Sequence, residues 1–346
     1  YTVSVTVTDA NNCSGSDTHT ATVNTCANSI TGKASWEADD VTGINEVVVT
    51  LSGDDTGTYT TGPAGTYELN PTMGNNFTVT PKKNKPMPGA INGVTTADAS
   101  RIQQHITGAF PFNDPYKMIA ADVNKSNSIT SFDASQVIQA VLGNPVSQAL
   151  FANNTWRFVP AAYIFPNPSS PWGFPETISV TGSGSNKDFI GCKIGDVNNT
   201  ANPLNFASNP PELIVLTDER SWTQGEELTA TFRSSGFNSL LGCQFALTFD
   251  PAELELVEIE MIDGSPFQSG NFGTFNLAAG EIRVALPLVQ TLTLPEDAPL
   301  FRLRFKALQD RNTPGGYLQL DNTVLAGEAY AGDYATGPVS LVFENA

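Results

Sequence analysis

Charge is scarce in this chain, and basic charge scarcer still. Only 15% of the 346 residues are charged, and 17 Lys and Arg face 35 Asp and Glu, a formal net charge of −18. No basic stripe exists to displace counterions from a phosphate backbone, which excludes nucleic acid as a partner. Histidine is limited to His19 and His105, and no nucleophile elbow, phosphate loop or dinucleotide fingerprint appears. Neighbouring acids such as Glu226 and Glu227, Asp39 and Asp40, or Asp54 and Asp55 point to opposite faces of a strand. That is not how two glycosidase carboxylates face one another across a sugar. These lacks argue against an enzyme. Cysteine is confined to Cys13, Cys26, Cys192 and Cys243, and no spacing among them matches a zinc site. The stretch from Cys13 to Cys26 spans roughly 40 Å when extended, which argues against a bond between them. The four read as small buried residues or as partners of segments elsewhere, and they leave the redox compartment open. No apolar run approaches the ~18 residues of a membrane span. No leader opens the chain, and Tyr1 begins inside a strand pattern, so the expectation is a fragment of a longer polypeptide.

What abounds is strand and turn chemistry: Thr, Val, Asn and Ser, punctuated by Gly and Pro. The fold class expected is mainly β and multidomain, with β-sandwich modules on either side of a small helical unit. Residues 1–27 alternate with period 2 around a turn at 9–16. They resemble the last two strands of a PKD or immunoglobulin-like repeat, which ends in a similar V-T-V-T-D-x-N-x-C-S. Residues 28–83 give four further strand candidates separated by Gly, Asp and Pro turns, the pattern of an all-β sandwich. They resemble prealbumin-like B-type repeats, which implies a stalk or spacer.

The most informative stretch is 121–133. Asp122, Asn124, Ser126, Thr130 and Asp133 occupy positions 1, 3, 5, 9 and 12 of an EF-hand-like loop, with the Ser128 carbonyl at position 7. A hard cation takes about 6–8 oxygens, and alternate side chains of an extended loop deliver them. Asn127 stands where the EF-hand has Gly, and Asn tolerates a left-handed backbone. Calcium is the cofactor expected. The stretch is also half of a duplication. Thr95, Asp98, Ala99, Ser100, Gln104 and Gly108 recur as Thr130, Asp133, Ala134, Ser135, Gln139 and Gly143, 35 residues on. Each block predicts an amphipathic helix ended by its glycine.

A duplicated D-x-N-x-[DS]-x(6)-D loop, each copy followed by a helix, resembles a type I dockerin. Carried across, the second loop keeps Asp122, Asn124, Ser126 and Asp133. The first loop is broken: Met87, Gly89 and Ile91 fall at positions 1, 3 and 5 and offer no side-chain oxygen. Only the Gly93 carbonyl, Thr95 and Asp98 remain. Much later, Asp196-Val197-Asn198 repeats Asp122-Val123-Asn124, with Thr200 matching Ser126. Two readings stand side by side, a plain turn after a strand or a split second site built from Gly93, Thr95, Asp98, Asp196, Asn198 and Thr200. The segment leading there carries Trp156, Phe158, Tyr163, Phe165, Trp172 and Phe174. These are expected to pack over the helices, the alternative being a sugar-stacking platform. Residues 84–200 are therefore taken as one dockerin-like unit with an aromatic insert.

Residues 201–211 read as a linker. Residues 212–346 carry about eight or nine short strands, a jelly-roll or sandwich. Leu241-Gly242-Cys243-Gln244-Phe245-Ala246-Leu247-Thr248-Phe249-Asp250-Pro251 and Leu300-Phe301-Arg302-Leu303-Arg304-Phe305-Lys306-Ala307 resemble two cohesin strands. The whole resembles C-terminal regions of large bacterial surface proteins exported by the type IX route. That implies a non-catalytic, extracellular, calcium-stabilised adhesion or structural region. Its expected partners are other copies of itself or a cohesin- or dockerin-type protein, with surface glycans as a further candidate. The alternative is the scaffolding tail of a secreted polysaccharide-degrading enzyme.

Overall fold

The computed structural model describes residues 2–20, 28–201, 213–219, 221–235, 237–312, 316–331 and 336–345. Cys26 and, apart from Ala201, the expected linker lie outside them. The fold is mainly β, with a small helical unit between two sandwiches.

β1 (Thr2–Thr8) and β2 (Ser14–Thr20) form an antiparallel hairpin. The turn is tighter than the sequence suggests, because Asp9 accepts the Asn11 and Cys13 N–H groups at 2.9 Å. Ser14, Gly15 and Ser16 are thereby free to pair with Thr8, Val7 and Thr6. Residues 21–23, expected in the second strand, lie outside the described residues.

The first sandwich begins with β3 (Ile30–Trp36), β4 (Val48–Gly53), β5 (Gly57–Thr60), β6 (Thr66–Leu69) and β7 (Asn76–Lys82). Their alternation places Val49, Leu51, Tyr67, Leu69, Phe77 and Val79 inside, each nearly or fully buried. It is not complete by residue 83. β8 (Trp156–Pro160), β9 (Ile178–Thr181) and β10 (Phe189–Lys193) come from the aromatic insert and finish both layers, β6-β3-β10-β8 and β5-β4-β7-β9. β10 runs parallel to β3, pairing Phe189 with Ala34. The insert thus belongs to this sandwich, and the boundary expected at 83/84 does not separate it from the rest. Trp156 and Phe158 pack in the sandwich core, whereas Phe174, with Tyr163, Phe165 and Trp172 partly buried, packs against the helical core. The six rings do not form an exposed platform.

The helical unit holds α1 (Thr96–Thr107), α2 (Pro115–Ala121), α3 (Ser131–Val141) and α4 (Pro145–Asn153). α1 and α3 start with matching capping boxes, Thr95 with Asp98 and Thr130 with Asp133. Ile102, Val137, Ile138 and Val141 form the buried stripe, joined by Ile119, Phe151 and Ile194. α2 and α4, not expected from periodicity, start at Asp114-Pro115 and Asn144-Pro145. The Asp and Asn side chains cap N–H groups, and Pro sits where no N–H is needed.

The C-terminal sandwich comprises β11 (Leu213–Glu219), β12 (Glu227–Ser235), β13 (Leu240–Thr248), β14 (Leu254–Met261), β15 (Phe272–Gly273), β16 (Glu281–Leu292), β17 (Pro299–Ala307), β18 (Gln319–Leu320), β19 (Glu328–Ala331) and β20 (Thr336–Asn345). The path β14-β17-β12-β11-β20-β19-β13-β16-β15 closes over its core through β20, which pairs β19 with one end and β11 with the other. β13 is buried on both faces. A bulge after Leu240 resets its phase, so that Cys243, Phe245 and Leu247 enter the sandwich core. Leu241, Gln244 and Ala246 turn outward and are still buried. Leu241 packs with Ala97 of α1 and Tyr330 of β19, Gln244 bonds Thr96 of α1, and Ala246 joins the helical core.

Candidate functional site

The contiguous loop folds around its first and last carboxylates. Asp122 Oδ1 accepts the Ser126 N–H at 2.8 Å and Oδ2 the Asn127 N–H at 2.9 Å. Asn124 Oδ1 accepts the Ser126 N–H at 3.0 Å, and Ser126 Oγ donates to the Ser128 carbonyl at 3.2 Å. Asp133 Oδ1 accepts the Val123 N–H at 3.0 Å, while Oδ2 accepts the Thr130 N–H and hydroxyl at 2.9 and 3.0 Å. Asn127 takes φ 62°, the left-handed turn expected of it.

The split loop repeats the backbone N–H bonds of this arrangement from two distant segments, while the Thr200 hydroxyl also donates to Asn198 Oδ1 at 2.8 Å where Ser126 Oγ instead meets Ser128 Oγ at 2.9 Å. Asp196 Oδ1 accepts the Thr200 N–H at 3.1 Å and Oδ2 the Ala201 N–H at 2.8 Å. Asn198 Oδ1 accepts the Thr200 N–H at 3.2 Å, and the Thr200 hydroxyl donates to the Gly93 carbonyl at 3.1 Å. Asp98 Oδ1 accepts the Val197 N–H at 2.8 Å and Oδ2 the Thr95 N–H and hydroxyl, both at 2.8 Å. Gly93 has φ +74°, and a Cβ there would lie 2.3 Å from Ala201 Cα, so only glycine lets the two segments close. The structure therefore brings together the six residues of each set.

Asp98, Asp122, Asp133 and Asp196 are each 0% exposed. Burial, then the neighbouring Asp196, pushes the Asp98 carboxyl up, and burial pushes Asp196 and Asp122 up as well. Lys193, itself buried and drawn down to about 8, gives its Nζ to the Ala90 and Ile194 carbonyls at 2.7 and 3.1 Å. Lys117 bonds Asn199 and lies 3.4 Å from Glu37. Each loop thus gathers two carboxylates with amide, hydroxyl and carbonyl oxygens. That is a hard-donor set without nitrogen or sulfur, and it fits a calcium ion. Among the described residues no group of three or more His, Cys, Asp and Glu comes together, so neutral oxygens must complete either shell.

One feature was hidden in the sequence. Thr96, Ser100 and Gln104, four residues apart, form a polar stripe on α1 that lies on the C-terminal sandwich. The Thr96 N–H donates to Gln244 Oε1 at 3.0 Å, Ser100 Oγ accepts the Leu288 N–H at 3.2 Å, and Gln104 Nε2 donates to the Val289 carbonyl at 3.0 Å. Beside the stripe Ala97 packs with Leu241 and Tyr330. At the end of α3, Arg283 donates to the Val141 carbonyl at 3.4 Å. Ala246 and Ala285 join the helical core itself. The equivalent stripe on α3, Ser131, Ser135 and Gln139, is exposed or half-buried. The identity of Ser100 with Ser135 and Gln104 with Gln139 marks the repeat but gives no sign of which copy is covered. A Gln within an otherwise apolar strand was the one available signal.

Residues 92–142 match the model of the dockerin type I domain. None of the curated proteins compared matches the chain. Among solved structures, similar chains include the seventh ScaB type I cohesin of Pseudobacteroides cellulosolvens, at 17% identity over 39% of this chain and 92% of that one (TM-score 0.31). The sixth cohesin of Acetivibrio cellulolyticus scaffoldin B, in complex with the Cel5 dockerin, gives 14% identity over 38% and 94% (TM-score 0.31). A non-cellulosomal cohesin of Archaeoglobus fulgidus gives 15% over 39% and 91% (TM-score 0.29).

Proposed function

We propose that this chain is a non-catalytic assembly region in which a calcium-loaded dockerin-like unit is held by the cohesin-like sandwich of its own chain. The observation that carries the reading is the seating of α1. Thr96 bonds Gln244 and Ala97 packs on Leu241 of the outward face of β13, Ala246 joins the helical core, and Ser100 takes the Leu288 N–H of the neighbouring β16. Calcium supplies the positive charge that two buried carboxylates per loop require, and so stabilises a helical unit too small to be held by its own core. Such loops suit the calcium-rich space outside a cell. We place the region on a bacterial surface protein exported by the type IX route, with the first sandwich as spacer and the docked pair as a rigid end. No helix of the described residues is long and apolar enough to cross a membrane.

The same contacts made between copies would give rings or fibres. Light scattering across a range of concentrations distinguishes the two arrangements. A monomer mass throughout, in calcium, is the expected result, and mass growing with concentration replaces docking within the chain by docking between copies. Excess chelator is expected to lower the melting temperature, and an unchanged melt would overturn the role given to calcium.

A further inference from the structure

The connection between α1 and α2 is folded back on α1 by a histidine in one protonation state. Gly108, at φ +75°, turns the chain at the end of α1 and gives its N–H to the His105 carbonyl at 3.1 Å. The Phe110 N–H donates to the Gln104 carbonyl at 3.2 Å, and the Phe112 N–H to Nδ1 of His105 at 2.9 Å. The His105 and Phe112 rings stack, 4.7 Å apart and 15° from parallel. Arg101, one turn earlier, lies over Phe110 and Phe112 at 5.5 and 5.8 Å and donates to Gln104 Oε1 at 3.4 Å. Gln104 Nε2 is thereby aimed at the Val289 carbonyl of the C-terminal sandwich, 3.0 Å away.

A ring nitrogen that accepts from a backbone N–H carries no proton, so this arrangement needs neutral His105 with its proton on Nε2. A second proton turns Nδ1 into a donor facing a donor and sets a positive charge beside Arg101. Burial, then Arg101, hold the imidazole below its ordinary value of 6.5. Loop 108–113 and residues 284–290 of β16 carry no ionisable side chain to offset this. Asp114, beyond Phe112, accepts the Tyr116 N–H as the cap of α2, and Asp133 of α3 is engaged at the Thr130 cap. The folded loop therefore holds the proton less tightly than the unfolded chain does. Its stability is full above about pH 6.5 and is lost as pH falls below that value. We infer that His105 is an acid-sensitive clasp: neutral, it closes residues 108–113 onto α1 and keeps Gln104 on Val289; protonated, it opens the loop and frees the last turn of α1 from β16. Thr96 on Gln244 and Ser100 on Leu288 stay in place. The clasp stands apart from the calcium reading, since residues 104–113 belong to neither loop.

Nuclear magnetic resonance of the full chain in calcium, titrated between about pH 8 and 5, tests this. His19→Gln removes the only other histidine, so the imidazole signals that remain belong to His105. At the upper end the Nε2–H tautomer is expected. The Phe112 amide and the Gln104 side-chain amide should shift with the same midpoint as the His105 ring. Phe112 should also lose protection from hydrogen exchange, after correction for the intrinsic pH dependence of exchange, while the Thr96 and Leu288 amides keep theirs. His105→Asn, which offers an uncharged acceptor near the place of Nδ1, is expected to hold the Gln104 side-chain amide at one shift throughout. Arg101→Met, which leaves the histidine in place, should move its midpoint upward. An Nδ1–H tautomer at the upper end, or a Phe112 amide that does not follow the His105 ring, would overturn the clasp. A Phe112 amide that follows while the Gln104 side chain stays unmoved would overturn its reach to β16.

Discussion

Gly273 offers a direct test of the docked arrangement. It lies in β15, paired with Arg283 of β16, and faces the end of α3. A Cβ added there would lie 2.0 Å from the Leu142 carbonyl oxygen, 2.8 Å from its carbon and 2.9 Å from its Cβ. Non-bonded carbons settle at about 3.5–4.0 Å, so sheet and helix end must separate by roughly 1 Å or more. No rotamer change relieves this. The opposing atoms are backbone, and Leu142 is tied by its N–H to the Ile138 carbonyl at 2.9 Å. Separation stretches the contacts of 3.0 and 3.2 Å from Gln244 and Leu288 to α1 toward the limit at which they cease to be hydrogen bonds. Overpacking of this kind costs about 1–3 kcal/mol, which lowers the ratio of docked to undocked chains about 5- to 150-fold. Small-angle scattering in calcium is expected to show Gly273→Ala with a larger radius of gyration than wild type, and its melt should lose cooperativity between the helical unit and the C-terminal sandwich. Gly270→Ala, in the same segment with nothing within 4 Å of the added Cβ, is expected to behave as wild type. Wild-type scattering and melting from Gly273→Ala would refute the reasoning, because the contact it wedges apart would not exist.

Ser100→Ala leaves the Leu288 N–H without its acceptor and is expected to cost about 1–3 kcal/mol in urea unfolding, whereas Ser135→Ala, at the exposed equivalent position on α3, should stay within about 0.5 kcal/mol. Gly93→Ala adds a Cβ at positive φ against Ala201 and should lose more than about 1 kcal/mol. Gly89→Ala, four residues earlier, meets only Lys85 at 3.6 Å and should melt close to wild type. Burial raises the Glu37 carboxyl from 4.5 to about 7, above its value in the unfolded chain. The folded state therefore holds this proton more tightly, and the cost of the buried charge, present above about pH 7, disappears as pH falls toward 4.5. Glu37→Gln should accordingly flatten the melting temperature between those pH values, and an unchanged pH profile would show that burial of this charge is not what sets it.

The conformation of the contiguous loop was legible because its oxygen-bearing residues are local: alternate residues of one segment, closed by a carboxylate that also caps the next helix. The split loop was legible only in pieces. Asp196-Val197-Asn198 repeats Asp122-Val123-Asn124, yet nothing in either segment states that β10 delivers one to the other. The same limit applies to the first sandwich. β8 and β10 are buried at every position and show no alternation that would announce them as strands, and the parallel pairing of Phe189 with Ala34 is invisible to any short window. α2 and α4 are too short to show a period, although Asp114-Pro115 and Asn144-Pro145 carry their start signals. The docking stripe was missed for a different reason. Thr, Ser and Gln on a helix read as a solvated face, and their burial depends on an element more than a hundred residues away.

That pairing has a consequence in time. Ala34 finds its partner 155 residues later, as does Lys33, whose N–H donates to Asp188. At about 5–20 residues per second, synthesis leaves β3 waiting roughly 8–30 s with an open edge and with Ile44 and Val47 uncovered. Non-local closure of this kind is slow to form and exposed to wrong partners while it waits. A chain cut anywhere before Phe189 therefore loses more than its tail: the strand that closes its first domain has not yet been made.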